Sequence, residues 1–298
     1  MTLSPAVHTS RAPVAREAMQ PLPLPTPGWG PVEALAALGL GRPQLPVQLP
    51  ADVTVVSALT TVVIRAGEHA VKVYPPGTCS AHLDQIATRL EDSLTAHPAE
   101  PGAVDTAFGV VTVAPWLTET GEASWSELGT LLRRFHTEHD RTDLPLWQPL
   151  SRLVSQVAGL DVEHAAVLLA ARAALLAALS EVRSELGYGV IHGDVSPSNV
   201  MLTPDGPRLI DLDWAAVGPR EYDLAGAARR VAAGEISVED YGAFCDAYGF
   251  DVRTWPGLPV LNKIADLGGV AFRLWDDRHH GRSLDWVPAE VELWRSPV

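Results

Sequence analysis

A chain of 298 residues with 47% hydrophobic and 19% charged content can bury a large core, as one bilobed unit or two closely packed domains. Its formal net charge of -14 argues against nucleic acid as the main partner and suits either plain solubility or a cationic small substrate in an acidic cleft. Cys79 and Cys245 are too few for a disulfide framework, no signal peptide is predicted, and the apolar run Ala165 to Leu179 is broken by Arg172 and too short for a bilayer, so a cytoplasmic protein is expected, with no membrane partner.

Residues 1–50 are rich in proline, which resists regular structure. They predict a partly ordered leader packing against the first lobe, with one short helix from Val32 to Leu38. From Val53 the pattern turns to strands. Thr61 to Ile64 and Ala70 to Tyr74 flank Ala66-Gly67-Glu68, a hairpin signal, and Pro75-Pro76-Gly77 ends the second strand. Ser80 could cap a helix with Leu83, Ile86, Leu90 and Leu94 on one side. Val110 to Val113 reads as another strand, leading into Ala114-Pro115-Trp116-Leu117.

Helices then dominate. Ser124 and Glu127 have capping-box spacing, and Leu128, Leu131, Leu132 and Phe135 follow the helical rule. A second helix is expected from about Asp161 to Leu186, with Leu175, Leu179, Val182 and Leu186 on its buried face. Gly187 and Gly189 end it. Val200-Met201-Leu202, the turn Pro204-Asp205-Gly206 and Arg208-Leu209-Ile210 predict a compact hairpin. The remainder is read as helical, with Trp255, Trp275, Trp286 and Trp294 among its residues.

The loop just before that hairpin carries the chemistry. Val190-Ile191-His192-Gly193-Asp194-Val195-Ser196-Pro197-Ser198-Asn199 sets a carboxylate and a carboxamide five residues apart, and Leu209-Ile210-Asp211 adds a second carboxylate beyond the hairpin. One acid to take a hydroxyl proton, with an amide oxygen and an acid to hold a metal, is what phosphoryl transfer needs. Asp213 competes with Asp211 as the ligand, since alternation puts both on one face. Lysine is rare: Lys72 and Lys263 stand among 22 basic residues. Lys72 alternates with Val71 and Val73, so the valines can enter a core while the ammonium faces a cleft.

These motifs, with Gly218 and Tyr222-Asp223-Leu224-Ala225, resemble the aminoglycoside phosphotransferase family of small-molecule kinases. The resemblance covers roughly Val53 to Trp294. It implies an α+β, bilobed, protein-kinase-like fold: residues 51–117 as a small β-rich N-lobe and residues 118–298 as a larger, mainly helical C-lobe. It implies an O-phosphotransferase acting on a small hydroxylated molecule, with ATP or GTP and Mg2+. Asp194 would be the base and Asn199 and Asp211 the Mg2+ ligands. Lys72, anchored by Asp84 or Glu91, would hold the α- and β-phosphates. Pro115 lacks an N–H, so a neighbour such as Trp116 would supply the backbone donor to the base. Asp223 and His192 would brace the catalytic loop, and Asp276, Asp277, Glu290 and Glu292, with Trp275 or Trp286, could form an acidic acceptor rim.

Two departures stand out. No glycine occurs from Ala51 to Ala66, so any loop over the phosphates must be built from Ser57 to Thr61. That feature favours the alternative of a catalytically inactive, nucleotide- or protein-binding kinase-like module. Gly193 and Ser196 occupy positions where protein kinases carry an arginine and a lysine, which disfavours a protein substrate.

Overall fold

The computed structural model describes residues 18–140 and 143–297. The expectations for residues 1–17 lie outside that range. Residues 18–30 cross the surface as an extended strap that enters α1 (Pro31–Gly41). A five-stranded antiparallel sheet follows: β1 (Thr54–Ala58), β2 (Val62–Ala66), β3 (His69–Tyr74), β4 (Val104–Thr106) and β5 (Gly109–Pro115), in the order β1-β2-β3-β5-β4. α2 (Ser80–Leu90) lies between β3 and β4 in sequence. The predicted hairpin is present. Val71 and Val73 are fully buried, and α1 closes this first core with Ala34, Ala37 and Leu38.

The rest is built from α3 (Trp125–Glu138), α4 (Leu153–Val157), α5 (Val162–Glu181), β6 (Tyr188–Ile191), β7 (Val200–Thr203), β8 (Gly206–Leu209), β9 (Ala216–Pro219), α6 (Glu221–Ala232), α7 (Val238–Tyr248), α8 (Leu258–His279) and α9 (Val287–Leu293). β7 and β8 form the expected hairpin, while β6 pairs with β9, which brings both flanks of the catalytic loop together. The fold is mixed: a β-rich sheet region and a helical part.

Several boundaries differ from the sequence reading. The α2 cap is Cys79, and the Ser80 hydroxyl instead donates to Asp105 at 2.6 Å. Leu94 lies past the helix and is 67% exposed. β4 and α4, at three and five residues, are too short for periodicity to reveal. α5 stops at Glu181 rather than Leu186, because Ser184 Oγ and the N–H groups of Glu185 and Leu186 are captured by the buried Glu221 carboxylate. Contrary to expectation, α5 is long and apolar enough to cross a membrane by length and composition. Here it buries Leu168, Ala171 and Leu175 and packs on α4, α8 and α9.

Helix α3 carries its capping box as predicted, with Glu127 N–H on Ser124 Oγ at 3.2 Å, and buries Leu128, Leu131, Leu132 and Phe135. It crosses α7 at Gly129, where a Cβ would come within 2.5 Å of the Phe244 carbonyl oxygen. Gly129→Ala is therefore expected to cost about 1–3 kcal/mol. Urea denaturation measures it, and an unchanged midpoint would show that the crossing has slack.

Candidate active site

Alternation along β3 places Lys72 on the face opposite the buried valines, in a cleft of about 390 Å3 between the sheet and the helical part. Its ammonium meets two carboxylates from the other wall: Asp211, in direct ion-pair contact, and Asp213 at 2.5 Å. Tyr74, two residues along the same face of β3, donates its hydroxyl to the other Asp213 oxygen at 2.7 Å. Burial pulls the Lys72 ammonium down, but Asp213, Tyr74 and Asp211 outweigh it and hold the group well above its ordinary range. Asp213 is pushed up by burial and by Asp211, while the Lys72 charge holds Asp211 low against its own desolvation. Neither predicted anchor reaches the lysine. Asp84 accepts from the N–H groups of Gly102 and Ala103 at 2.8 and 2.7 Å, and Glu91 is exposed at the end of α2.

Asp211 sits in the left-handed region at φ 62, unusual for a residue with a side chain, which bends the chain sharply into the turn carrying Asp213 and Trp214. Its side chain is 40% exposed towards the cleft, against 13% for Asp213. Asn199 lines the same cleft. Its Nδ2 donates to the Asp194 carbonyl at 2.8 Å and to Asp194 Oδ2 at 3.3 Å, so its Oδ1 stays available as a hard oxygen donor. An amide oxygen beside a partly exposed carboxylate fits a magnesium-type cation.

Asp194 lies at the rim of this arrangement, its carboxyl raised by desolvation and by the Asp211 charge, against the opposing effect of His192. Asp223, in the first turn of α6 rather than at its cap, holds the loop: Oδ2 accepts from His192 N–H at 2.6 Å and Oδ1 from Gly193 N–H at 2.9 Å. His136 of α3 donates Nε2–H to the same carboxylate at 3.0 Å and accepts the Tyr248 hydroxyl at Nδ1 at 2.8 Å. His192 donates Nε2–H to the Ile210 carbonyl at 2.8 Å and accepts Asp194 N–H at Nδ1 at 3.2 Å. Both nitrogens are thus committed to holding the loop. Gly193 has φ +84, and a Cβ there would lie 2.4 Å from the Trp214 carbonyl oxygen, so no side chain fits between the loop and that turn.

Residues 82–261 match the profile of the phosphotransferase enzyme family, APH. The chain belongs to this family. Membership makes it a kinase-like small-molecule phosphotransferase. No curated protein matches the sequence. Among solved structures, the amicoumacin kinase hAmiN in complex with AMP-PNP, Ca2+ and Ami is 12% identical, covers 87% of this chain and 90% of its own, and superposes with a TM-score of 0.64. A choline/ethanolamine kinase family protein from Mesorhizobium loti is 15% identical, with 86% and 90% covered and a TM-score of 0.58. The GDP complex of wild-type aminoglycoside 2'-phosphotransferase-IIIa is 13% identical, with 89% and 97% covered and a TM-score of 0.55. These likenesses establish the kinase-like bilobed fold.

Against that fold, Lys72, Asn199 and Asp211 line one cleft, with Asp194 bonded to Asn199 at its edge. Trp116 lines the cleft too, but its N–H donates to the Glu68 carbonyl at 2.8 Å and is not free for a base. Leu117 N–H, one residue on, has no partner among the described residues. The acidic rim is not present as expected. Asp276 and Asp277 pair with Arg282, Glu290 accepts from Trp294 Nε1, and Glu292 pairs with Arg295. Trp275 Nε1 donates to the Pro25 carbonyl and Trp286 lies under Arg273. Sequence reasoning missed Tyr74, His136 and Tyr248. Only Tyr74 carried a signal, its two-residue offset from Lys72. Asp223→Asn in this family member leaves a buried N–H of the loop facing an amide and is expected to cost about 1–3 kcal/mol. Chemical denaturation checks this, and a stability within about 0.5 kcal/mol of wild type would show the clamp to be dispensable.

Proposed function

We propose that the protein is a magnesium- and nucleoside-triphosphate-dependent O-phosphotransferase acting on a hydroxyl of a small molecule. One observation carries this reading: Lys72 from the sheet and Asp211 and Asp213 from the helical part meet on the floor of a cleft that also holds the free oxygen of Asn199. Residues 51–117 and 118–298 act as the two lobes. Val63 and Ala70 from the sheet and Met201 and Ile210 from the other wall form an apolar slot for a flat base, with Leu117 N–H in place of Trp116 as its donor. AMP-PNP and GDP in two of the similar structures support nucleotide use without choosing between ATP and GTP.

Asn199 Oδ1 and Asp211 would hold the Mg2+. Asp213 is the poorer ligand because Lys72 and Tyr74 already occupy its oxygens. When bound, the ion supplies charge neutralisation for the transferring phosphoryl group. Lys72 orients the phosphate chain, drawn towards it by the same charge that now holds Asp211. Asp194 accepts, or at least orients, the acceptor's hydroxyl proton, and the Asn199 amide fixes its carboxylate plane. The Ser57 to Thr61 segment would cover the phosphates. A bulge between Val55 and Ser57 interrupts the β1–β2 register there, and Ser57 lines the cleft.

A screen of ATP and GTP consumption against antibiotics, amino alcohols and sugars tests the proposal. Asp194→Asn is expected to lower kcat by about 10²–10⁴-fold with nucleotide affinity kept. Nucleotide binding with no turnover on any acceptor would favour the inactive binding module instead. Magnesium titration separates the two acids: Asp211→Asn should weaken the metal requirement's apparent affinity far more than Asp213→Asn, and the reverse order would reassign the ligand. Because the Asp194 carboxyl is raised and acts only when ionised, activity should fall with acid while pH is still above the usual carboxylate value of about 4. A kcat/KM profile that stays flat down to that value would remove Asp194 as the titrating base.

A further inference from the structure

Arg152 is bound differently from the arginines that form ion pairs. Arg220, Arg229, Arg230, Arg253 and Arg282 each pair with a carboxylate. Arg152 has no ion pair among the described residues, although it is half-buried. Its Nε donates to the Leu22 carbonyl of the N-terminal strap, and its guanidinium lies 4.3 Å over the Trp214 ring. Its two terminal nitrogens have no acceptor among the described residues. Trp214 in turn packs against Gly193, the residue before Asp194, and follows Asp213. The planar fork is thus fixed on one edge and one face, close enough to Asp194 and Asp213 to feel their charges.

Burial pulls the guanidinium down to about 10, partly offset by the charges of Asp213 and Asp194, so it remains a cation at neutral pH. An arginine half-buried, held rigid and left without an anion is costly unless a ligand completes it. A guanidinium fork matches carboxylate and phosphate oxygens, and stacking on a ring removes the entropy that a free arginine would lose on binding.

We propose that Arg152 is an oxyanion-binding residue of the acceptor side of this site, resting on the phosphotransfer reading above. The oxyanion is either the phosphoryl group in transfer or a carboxylate or phosphate carried by the acceptor. The strap reaches the site through Leu22, which packs with Tyr74, Leu83, Val110 and Trp214, so residues before α1 help to fix the fork.

Two arms test this. In the first, ADP with Mg2+ and aluminium fluoride is titrated calorimetrically into wild type, Arg152→Gln and Arg152→Lys. In the second, inorganic phosphate is titrated into the wild type without nucleotide and followed by the Arg152 guanidinium NMR signal, assigned with Arg152→Lys. ADP·Mg2+ affinity should be unchanged in the variants, showing that the fold and nucleotide site persist. The fluoride-dependent gain should drop about tenfold or more in Arg152→Gln, or the guanidinium signal should move saturably with phosphate. The first result assigns the residue to the transferring phosphoryl group and the second to an anion on the acceptor. A role confined to anchoring the strap would shift only the melting temperature. Equal fluoride gain in both variants together with a phosphate-silent guanidinium overturns the inference and leaves the proposed function standing. A wild type that binds no ADP·Mg2+ sinks both.

Discussion

The arrangement turns on one ammonium group held between two carboxylates. Lys72 comes from the sheet and Asp211 and Asp213 from the far side of the cleft, 139 and 141 residues away in sequence. Taking such charges from water costs several kcal/mol per ion before pairing returns any of it, so this cluster is a poor device for stability alone. One cation and two acids also leave it a net charge short. The imbalance shows in the opposite displacements of the two acids, Asp211 low beside the lysine and Asp213 high in its buried position. A site that supplies hard oxygens and excess negative charge at the mouth of an apolar slot calls for a further cation and a polyanion together, which is the pairing a metal–triphosphate complex provides.

Positioning of the catalytic loop depends on the first turn of α6. Glu221 and Asp223 are both buried there, where the positive end of the helix dipole favours negative charge. They face opposite ends of β6. Glu221 takes the N–H groups of Glu185 and Leu186 before the strand, and Asp223 those of His192 and Gly193 after it. The same turn thus ends α5 and sets the direction in which Asp194 leaves the sheet. His136 and Tyr248 extend the Asp223 clamp to the α3–α7 crossing, so the packing of those helices at Gly129 bears on the loop.

What could be read in the sequence was what is local. The hairpins β2–β3 and β7–β8, the Ser124 capping box and the Asp194–Asn199 spacing are encoded within a few residues and were legible. The facing of Lys72 followed from strand alternation, but its partners did not: helix charges near in sequence, such as Asp84, looked as eligible as acids across the cleft. The end of α5 was hidden because apolar periodicity continues to Leu186 and only a distant carboxylate stops the helix. The strap was illegible because proline suppresses every periodic signal while leaving carbonyls such as those of Leu22 and Pro25 free to accept from Arg152 and Trp275. The missing N–H of Pro115 points to Trp116 as a donor, yet the turn between β2 and β3 supplies Glu68 O and uses that N–H first.

Net charge was the weakest guide to the acceptor. A total of -14 predicts an acidic recess for a cation, with the C-terminal acids as candidates to line it. In the fold those acids are spent locally on Arg282, Arg295 and the indoles of Trp286 and Trp294. The field an acceptor meets is set by the few groups within a Debye length that lack partners of their own, and a sum over the chain is mostly screened. Arg152, without an ion pair among the described residues and close enough to Asp194 and Asp213 to feel their charges, is the one group there of the sign that an anion on the acceptor would meet, which the chain-wide total does not reveal.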